Sequence, residues 1–395
     1  MAVVRRRVAS LSDMFSGEEP APGQVENDFI SEIIRRVREG RVIPVVSGSV
    51  FYESVFRLEE EAAGATEAEP AESQTPAGAA KAEELAADEL AAEEETIQGE
   101  LSSTWARQIG YPLPDQNNLA RVAQYNRTLS EDNERAKVGY LRFLKMALLN
   151  FARVNGADGS LLSELRNRLD EASFTDLCQD LGYPREDPSR LDPLRVLARL
   201  PLPVYITTGY HDNLERLLTL EKRKPHTQIC FWSGETLDVD DSHAPNRELA
   251  PSVKEPVVYH LMGLERYPSS IALSEDDYLD FLARVVLDTD TRDMVIPLYL
   301  RDALSFSSLV LLGYRLSDWD FRVLFRGVIL PRQSPNRWTS LIIQLAPEEQ
   351  YHIADPEKAR KYLETYFSPR SFKIEWGNAE SYLAKFWSEW KKRQV

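Results

Sequence analysis

Residues 200–215, Leu-Pro-Leu-Pro-Val-Tyr-Ile-Thr-Thr-Gly-Tyr-His-Asp-Asn-Leu-Glu, decide how this chain folds. Val204-Tyr205-Ile206-Thr207 is a short β-branched and aromatic run behind two prolines, which is the pattern of a buried strand. Thr208-Gly209 then turns the chain, and Asp212 opens a helix expected over 212–220. The same strand–turn pattern recurs on both sides. Val42–Val46 runs into Ser47-Gly48-Ser49, Val257–His260 into Leu261-Met262-Gly263, and Ser308–Leu312 into Gly313–Asp318; Leu341–Gln344 is a further apolar strand. Helical spacing is expected at Asp277–Leu287, Asp318–Ile329, Pro356–Phe367 and Ala379–Lys392. A first helix is expected to bury Phe29, Ile30, Ile33, Ile34 and Val37, with Asn27 or Asp28 as N-cap and Gly40 as C-cap. Near-continuous apolar strands separated by helices predict a parallel sheet covered on both faces.

Between the first and second strands the pattern is helical. Trp105…Ile109, Leu119-Val122-Tyr125, Leu141-Leu144-Ala147-Leu148 and Leu161-Leu165-Leu169 each fall on one helix face. The expected fold is therefore α/β, a doubly wound parallel sheet with a helical insertion between the first and second strands. Its expected parts are a flexible tail over 1–26, the first helix and strand over 27–56, and an acidic Ala/Glu-rich disordered insertion over 57–100. A helical subdomain over 101–200 and the rest of the α/β core over 201–395 complete it.

The 395 residues carry 47 basic and 63 acidic side chains, a formal net charge of −16. From Arg57 to Glu100 there are 14 acidic and two basic residues, so this one segment holds −12 and the rest of the chain only −4. Lacking a hydrophobic stripe, the segment reads as a solvated arm. The acidic balance excludes a protein that coats nucleic acid. The nearly neutral remainder leaves an anionic ligand acceptable.

Two cysteines, Cys178 and Cys230, can build neither a disulfide framework nor a four-sulfur zinc site. The N-terminal MAVVRRRVASLSDMF lacks the apolar core of a signal peptide, and no apolar run is long enough to span a bilayer. The expectation is a cytoplasmic protein with no membrane contact and no resident metal. His211, His226, His243 and His352 have no metal-ligand spacing and read as surface or loop residues.

In a parallel α/β sheet, ligands bind beyond the carboxyl ends of the strands. Those tips here place glycine beside hydroxyl or charged side chains, which suits approach of a phosphate to backbone amides. Taken together, the segments Arg41–Val46, Leu200–Glu215, Val257–Phe281 (VVYHLMGLERYPSSIALSEDDYLDF), Leu311–Arg326 (LLGYRLSDWDFRVLFR) and Glu375–Leu383 resemble the SIR2-like, sirtuin-related domain family of bacterial defence systems. The resemblance implies a Rossmann-like NAD site and, by its defence members, an NAD glycohydrolase that cleaves the nicotinamide–ribose bond. It places the general base at His260. It places nucleotide contacts at Ser47, Gly48, Ser49, Thr207, Thr208, Tyr210, Gly313 and Tyr314. NAD or an ADP-ribose-like nucleotide is the implied ligand, with partner proteins or a homo-oligomer as further expectations.

The first turn and three single positions depart from the family pattern. Ser47-Gly48-Ser49 stands where the family has a Gly-Ala-Gly type turn, and the bulky Phe51 replaces a small hydroxyl residue. Gly209 stands where the family has the Asn that holds ribose and water, and His211 stands where Asp is common. The sequence therefore supports two functions: an NAD glycohydrolase with degenerate motifs, or an inactive SIR2-fold scaffold or nucleotide sensor. His260 is correspondingly either a cleft-facing base or a strand-end histidine satisfied by packing. The sirtuin protein deacetylases carry a zinc module of two Cys-x-x-Cys pairs, which Cys178 and Cys230 cannot supply, so deacetylation is not expected.

Overall fold

The sheet is built first from strands that are apolar on both faces. β1 (Val42–Val46), β2 (Val204–Thr207), β4 (Val257–His260) and β5 (Ser308–Leu312) are buried at every position. With β3 (His226–Ile229), β6 (Ser340–Gln344) and β7 (Phe372–Trp376) they form a seven-stranded sheet in the order β3-β4-β2-β1-β5-β6-β7. Every pairing is parallel, from Val45 opposite Ile206 to Gln344 opposite Trp376. This computed structural model describes residues 22–57, 96–130, 132–184, 191–233, 243, 246, 249–287, 295–315, 318–332, 339–344, 355–367 and 372–393. The tail up to residue 21 and the acidic arm over 58–95 lie outside them.

β3 and β7 are the strands that the sequence pattern did not announce. Both are sheet edges and only partly buried, so His-Thr-Gln-Ile and Phe-Lys-Ile-Glu-Trp carry polar residues where a central strand carries none.

The helices follow capping and apolar spacing. α1 (Pro22–Arg38) buries Ile30, Ile33, Ile34 and Val37 and ends at Gly40, whose φ of +67° closes the helix in the left-handed conformation. It starts before Asn27 and Asp28, so neither is its N-cap, because the pattern of apolar residues marks the buried part of a helix and not its first turn. α2 (Gly48–Val55) follows β1 directly, with the Ser47 side chain accepting from the Ser49 amide.

The insertion between β1 and β2 comprises α3 (Ile97–Ile109), α4 (Leu119–Leu129), α5 (Asn133–Val154), α6 (Gly159–Asn167), α7 (Phe174–Asp180) and α8 (Pro193–Arg199). α3 starts at Ile97, ahead of the apolar spacing Trp105…Ile109 that marked it, with Thr96 capping it. α9 (Asn213–Leu220), α10 (Glu275–Val286) and α11 (Leu298–Phe306) complete the middle of the chain. Ser-x-x-Asp capping boxes open α7 at Ser173/Asp176 and α10 at Ser274/Asp277.

The helix expected over Asp318–Ile329 is α-helical only as α12 (Trp319–Val323) and then widens into a π turn over Leu324–Ile329. A Cβ on Gly327 would stand 2.9 Å from Leu282, so the wide turn lies directly on α10. α13 (Pro356–Phe367) and α14 (Ala379–Lys392) finish the fold; Tyr382, Phe386 and Trp390 of α14 are core residues. Among the described residues no helix is long and apolar enough to cross a membrane.

One consequence of this order positions the site. The chain moves from β1 to β2 on one side of the sheet and enters β5 on the other, so the strand order reverses around β1. The crevice outside the carboxyl ends of β1, β2 and β5 is where ligands bind in such sheets.

Candidate functional site

The tips of β1, β2 and β5 meet in one patch. Ser47 is held by its amide, which donates to Leu312 O at 3.0 Å, and the Ser49 hydroxyl donates to Gly313 O at 2.6 Å. Thr207 Oγ1 accepts from the Gly209 amide at 2.9 Å. The Thr208 hydroxyl donates to Asp320 Oδ2 at 3.0 Å and lies 3.2 Å from the Tyr314 hydroxyl. Ser47, Gly48, Ser49, Thr207, Thr208, Gly209, Gly313 and Tyr314 are thus brought together, and their polar groups bond chiefly to one another. Burial, with the neighbouring Asp318, pushes the Asp320 carboxyl up to about 7. Asp212 and Asp318 stand at the N-cap positions of α9 and α12, yet neither side chain makes the capping bond expected of it.

The glycines of this patch are in direct contact. A Cβ on Gly209 would lie 3.1 Å from Gly48 Cα and 3.2 Å from Thr207 Oγ1; one on Gly48 would lie 3.2 Å from Gly209 Cα. The two turns approach as closely as their backbones allow, and that closeness depends on glycine at 209. Gly209→Asn is therefore expected to cost about 1–3 kcal/mol of stability. A thermal melt checks it; an unchanged or raised Tm would mean that the turns separate freely.

His260 lies in register beside Thr207 at the end of β4 and is fully buried. Its Nε2 is 2.8 Å from Glu215 Oε1 on α9, and its Nδ1 is 3.2 Å from Gly209 O. Gly209 O can only accept, so Nδ1 donates to it, and an ionised Glu215 opposite Nε2 favours the doubly protonated ring. Burial acts to lower its pKa, but the Glu215 carboxylate and the Gly209 carbonyl outweigh this and raise it. Glu215 Oε1 also accepts from Thr227, while its Oε2 is buried without a hydrogen-bond partner.

A second polar cluster lies on the side of the insertion. His211 Nδ1 donates to Glu265 Oε2 at 2.8 Å, and its Nε2 meets the Tyr52 hydroxyl at 2.9 Å. Lys145 of α5 donates to Glu265 Oε1 at 2.9 Å. The Phe174 amide, at the start of α7, donates to both carboxylate oxygens at 3.1 and 3.0 Å. Burial acts to raise the Glu265 pKa, but the hydrogen bond and charge of His211 and the Lys145 ammonium prevail and hold it at about 2. The His211 ring stacks on Phe174 at 4.5 Å and meets Phe51 edge-on at 5.9 Å.

Phe51 and His211 pack together, Gly48 faces Gly209, and Ser49 holds Gly313. Lys145, Glu215, Glu265 and Asp320 were not singled out by the sequence. Glu265 had a signal, since it follows the β4 glycine Gly263 by two residues, but nothing local reveals that Lys145 reaches it from 120 residues away.

A cavity of about 850 Å³ opens beside this second cluster, between the insertion and the tips of β2 and β4. Tyr210, His211, Asp212, Glu265 and Arg266 line it from the core and Lys145 and Leu169 from the insertion. Of the residues expected to contact a nucleotide, Tyr210 alone lines it; the Tyr210 hydroxyl donates to Ala272 O at 3.0 Å. His211, expected as a surface or loop residue, is instead buried in the wall, because its ring fills the aromatic gap between α2 and α7. His226 lies on the edge strand β3, His243 bonds the Tyr267 hydroxyl, and His352 is outside the described residues. Cys178 and Cys230 are buried and unpaired with each other. Among the described residues no group of three or more His, Cys, Asp or Glu side chains could hold a metal ion.

No curated protein matches this chain. A comparison with family models does find a match, and it begins at the strand that opened the sequence reading, running through β2, the His260 tip, β5 and α13: residues 203–368 match the SIR2-like domain.

Proposed function

We propose that this chain is a SIR2-like nucleotide sensor or scaffold subunit of a bacterial defence or signalling system, and that it does not itself cleave NAD. One observation carries the reading. A general base must offer a lone pair within reach of the reacting proton, and His260 is fully buried with both ring nitrogens within hydrogen-bond distance of protein partners, Nε2 of Glu215 Oε1 and Nδ1 of Gly209 O.

The tips of β1 and β2, as they stand, do not fit a pyrophosphate cradle. The amides of Ser47, Ser49, Val50, Thr208 and Gly209 all have partners within the protein, and Gly48 lies against Gly209. The absent Asn at 209 points the same way, since loss of such a positioning group typically costs about 10²–10³ in rate.

A second reading, an NAD glycohydrolase, is favoured by the cavity of about 850 Å³ that borders the β2 and β4 tips with a histidine in its wall. The two separate on one assay. Purified protein incubated with NAD is expected to release no nicotinamide above background, and His260→Ala to change nothing. Release that disappears in His260→Ala would overturn the sensor reading.

The protonation state is checked independently by nitrogen NMR of His260. Because its pKa is raised from 6.5, more than half of the ring is expected as imidazolium at pH 6.5. A neutral tautomer at that pH would remove the argument. By linkage, the stability that this pair contributes is complete below pH 6.5 and is lost as pH rises through the raised value.

A further inference from the structure

We propose that the outer edge of β7 pairs with the same edge of a second copy of this chain, antiparallel about a two-fold axis at Ile374, joining two seven-stranded sheets into one. β7 ends the sheet and, among the described residues, has a strand on one side only. An edge strand presents a row of backbone donors and acceptors that can template a further strand. Edges are usually blunted by a lysine, a proline, a bulge or a covering segment. β7 has no proline, and it pairs with β6 residue for residue, so it has no bulge. Its lysine, Lys373, is matched by a glutamate two residues on.

The strand is self-complementary. Phe372-Lys373-Ile374-Glu375-Trp376 reads aromatic, basic, aliphatic, acidic, aromatic about its central residue. Turned antiparallel about Ile374, Lys373 lies opposite Glu375 of the partner subunit, Phe372 lies opposite Trp376 of the partner subunit, and Ile374 meets its own copy. Opposite charges and aromatic or aliphatic pairs directly across an antiparallel ladder stabilise it, and like charges destabilise it. An axis moved to Lys373 or to Glu375 sets like charges face to face, so this register is favoured over its neighbours. Lys373 is exposed and Ile374, Glu375 and Trp376 are half-buried, so these side chains are within reach of a partner. β3, the opposite edge, has four residues and no such pairing of charges, and its Gln228 already takes the Asn246 amide at 2.9 Å.

The helices beside β7 extend the contact. α13 packs on this strand through Phe367, whose ring meets Phe372 edge-on at 6.4 Å, and through Arg360, whose guanidinium stands 4.4 Å from the centre of the Trp376 ring. In the pair, the α13 helices of both copies lie on the same face of the joined sheet, and α13 carries an exposed aromatic, Tyr362, at 65%. On α14, Lys385 stands 3.7 Å from Glu375. The partner subunit's Lys373 therefore completes a row of alternating charge across the axis. Both copies use one patch, the isologous arrangement of a closed dimer. The β1, β2 and β5 tips stay open, because β6 and β7 separate them from the axis.

Sedimentation velocity of the full chain tests this. Wild type is expected to form a concentration-dependent dimer, and Lys373→Glu and Glu375→Lys each to raise its dissociation constant about tenfold or more. An equal mixture of the two variants is expected to dimerise again, because one copy then carries two acids and the other two bases. Loss in each variant with recovery in the mixture cannot come from a misfolded strand. Ile374→Cys reads the axis. Directly opposite Cα atoms are about 4.5–5.5 Å apart, within disulfide range, so oxidation is expected to link two copies. Lys373→Cys meets its own copy only diagonally, at about 7–8 Å, and is expected to link far less. Cys178 and Cys230 are buried and do not compete. A wild type that stays monomeric at about 100 µM, a dimer indifferent to both charge reversals, or a mixture no better than its components overturns the proposal. Lys373→Cys linking as readily as Ile374→Cys would overturn the register.

Discussion

Glu265→Ala is expected to destabilise the protein by about 3–5 kcal/mol, the cost of removing one partner from a buried ion pair. Glu265 is a point at which several elements of the insertion are fastened to the strand tips. Its carboxylate takes Lys145 from α5, the free Phe174 amide at the start of α7, and His211 from the β2 tip, while its own amide donates to Tyr210 O at 2.7 Å. Without it, Lys145 is left with Leu169 O as its partner, and the imidazole Nδ1–H and the first amide of α7 lose theirs. Urea titration followed by tryptophan fluorescence measures the loss. A change below about 1 kcal/mol would mean that water replaces the carboxylate without penalty.

The same group gives a pH dependence of known sign. Its pKa is depressed from 4.5 to about 2, so its contribution is complete above about pH 5 and is lost as pH falls towards 2. The size is on the order of 3 kcal/mol. Wild type and Glu265→Gln are expected to converge in stability as the pH is lowered from 5 to 2. Parallel curves would show that the carboxylate is not held in this way.

Gly263→Ala is expected to be at least as damaging. Gly263 ends the β4 tip with a φ of +93°, and a Cβ there would lie 2.4 Å from Ser270 O, 2.5 Å from Ser270 C and 2.6 Å from Ile271 Cα. All three are backbone atoms, so no rotamer change relieves the clash. The segment it presses on carries structure of its own: Ser270 Oγ accepts from the Leu264 amide, Ala272 N donates to Met262 O, and Trp232 Nε1 donates to Ser270 O at 2.8 Å. Left-handed backbone strain and overpacking each cost about 1–3 kcal/mol. Their sum approaches the whole stability of an ordinary domain at the lower end of its range. The measurement is soluble yield and Tm against wild type. A variant that melts within two or three degrees of the parent would show that the β4 turn moves freely.

Much of the fold was legible because burial on both faces leaves a mark in one dimension. Val42–Val46, Val204–Thr207, Val257–His260 and Ser308–Leu312 are near-continuous apolar runs for the reason that they occupy the middle of the sheet. β3 and β7 left no such mark, since an edge strand covered on fewer sides tolerates His226, Lys373 and Glu375. The strand-tip glycines were legible as turns. What they touch was not: that Gly48 lies against Gly209, and Gly313 against Val50 and Ser49, depends on which strands are neighbours.

By itself, then, the sequence determined the α/β class, the place of the helical insertion, the strand tips and the SIR2-like resemblance, because strand burial, helix spacing and turn chemistry are local. Only the tertiary structure decided what the histidines do. His260 is sealed by Glu215, 45 residues away, and His211 is bound to Glu265, 54 residues away. An imidazole has two nitrogens whose roles are set by whatever the fold places opposite them. That choice is made by packing, and no stretch of chain around either residue records it.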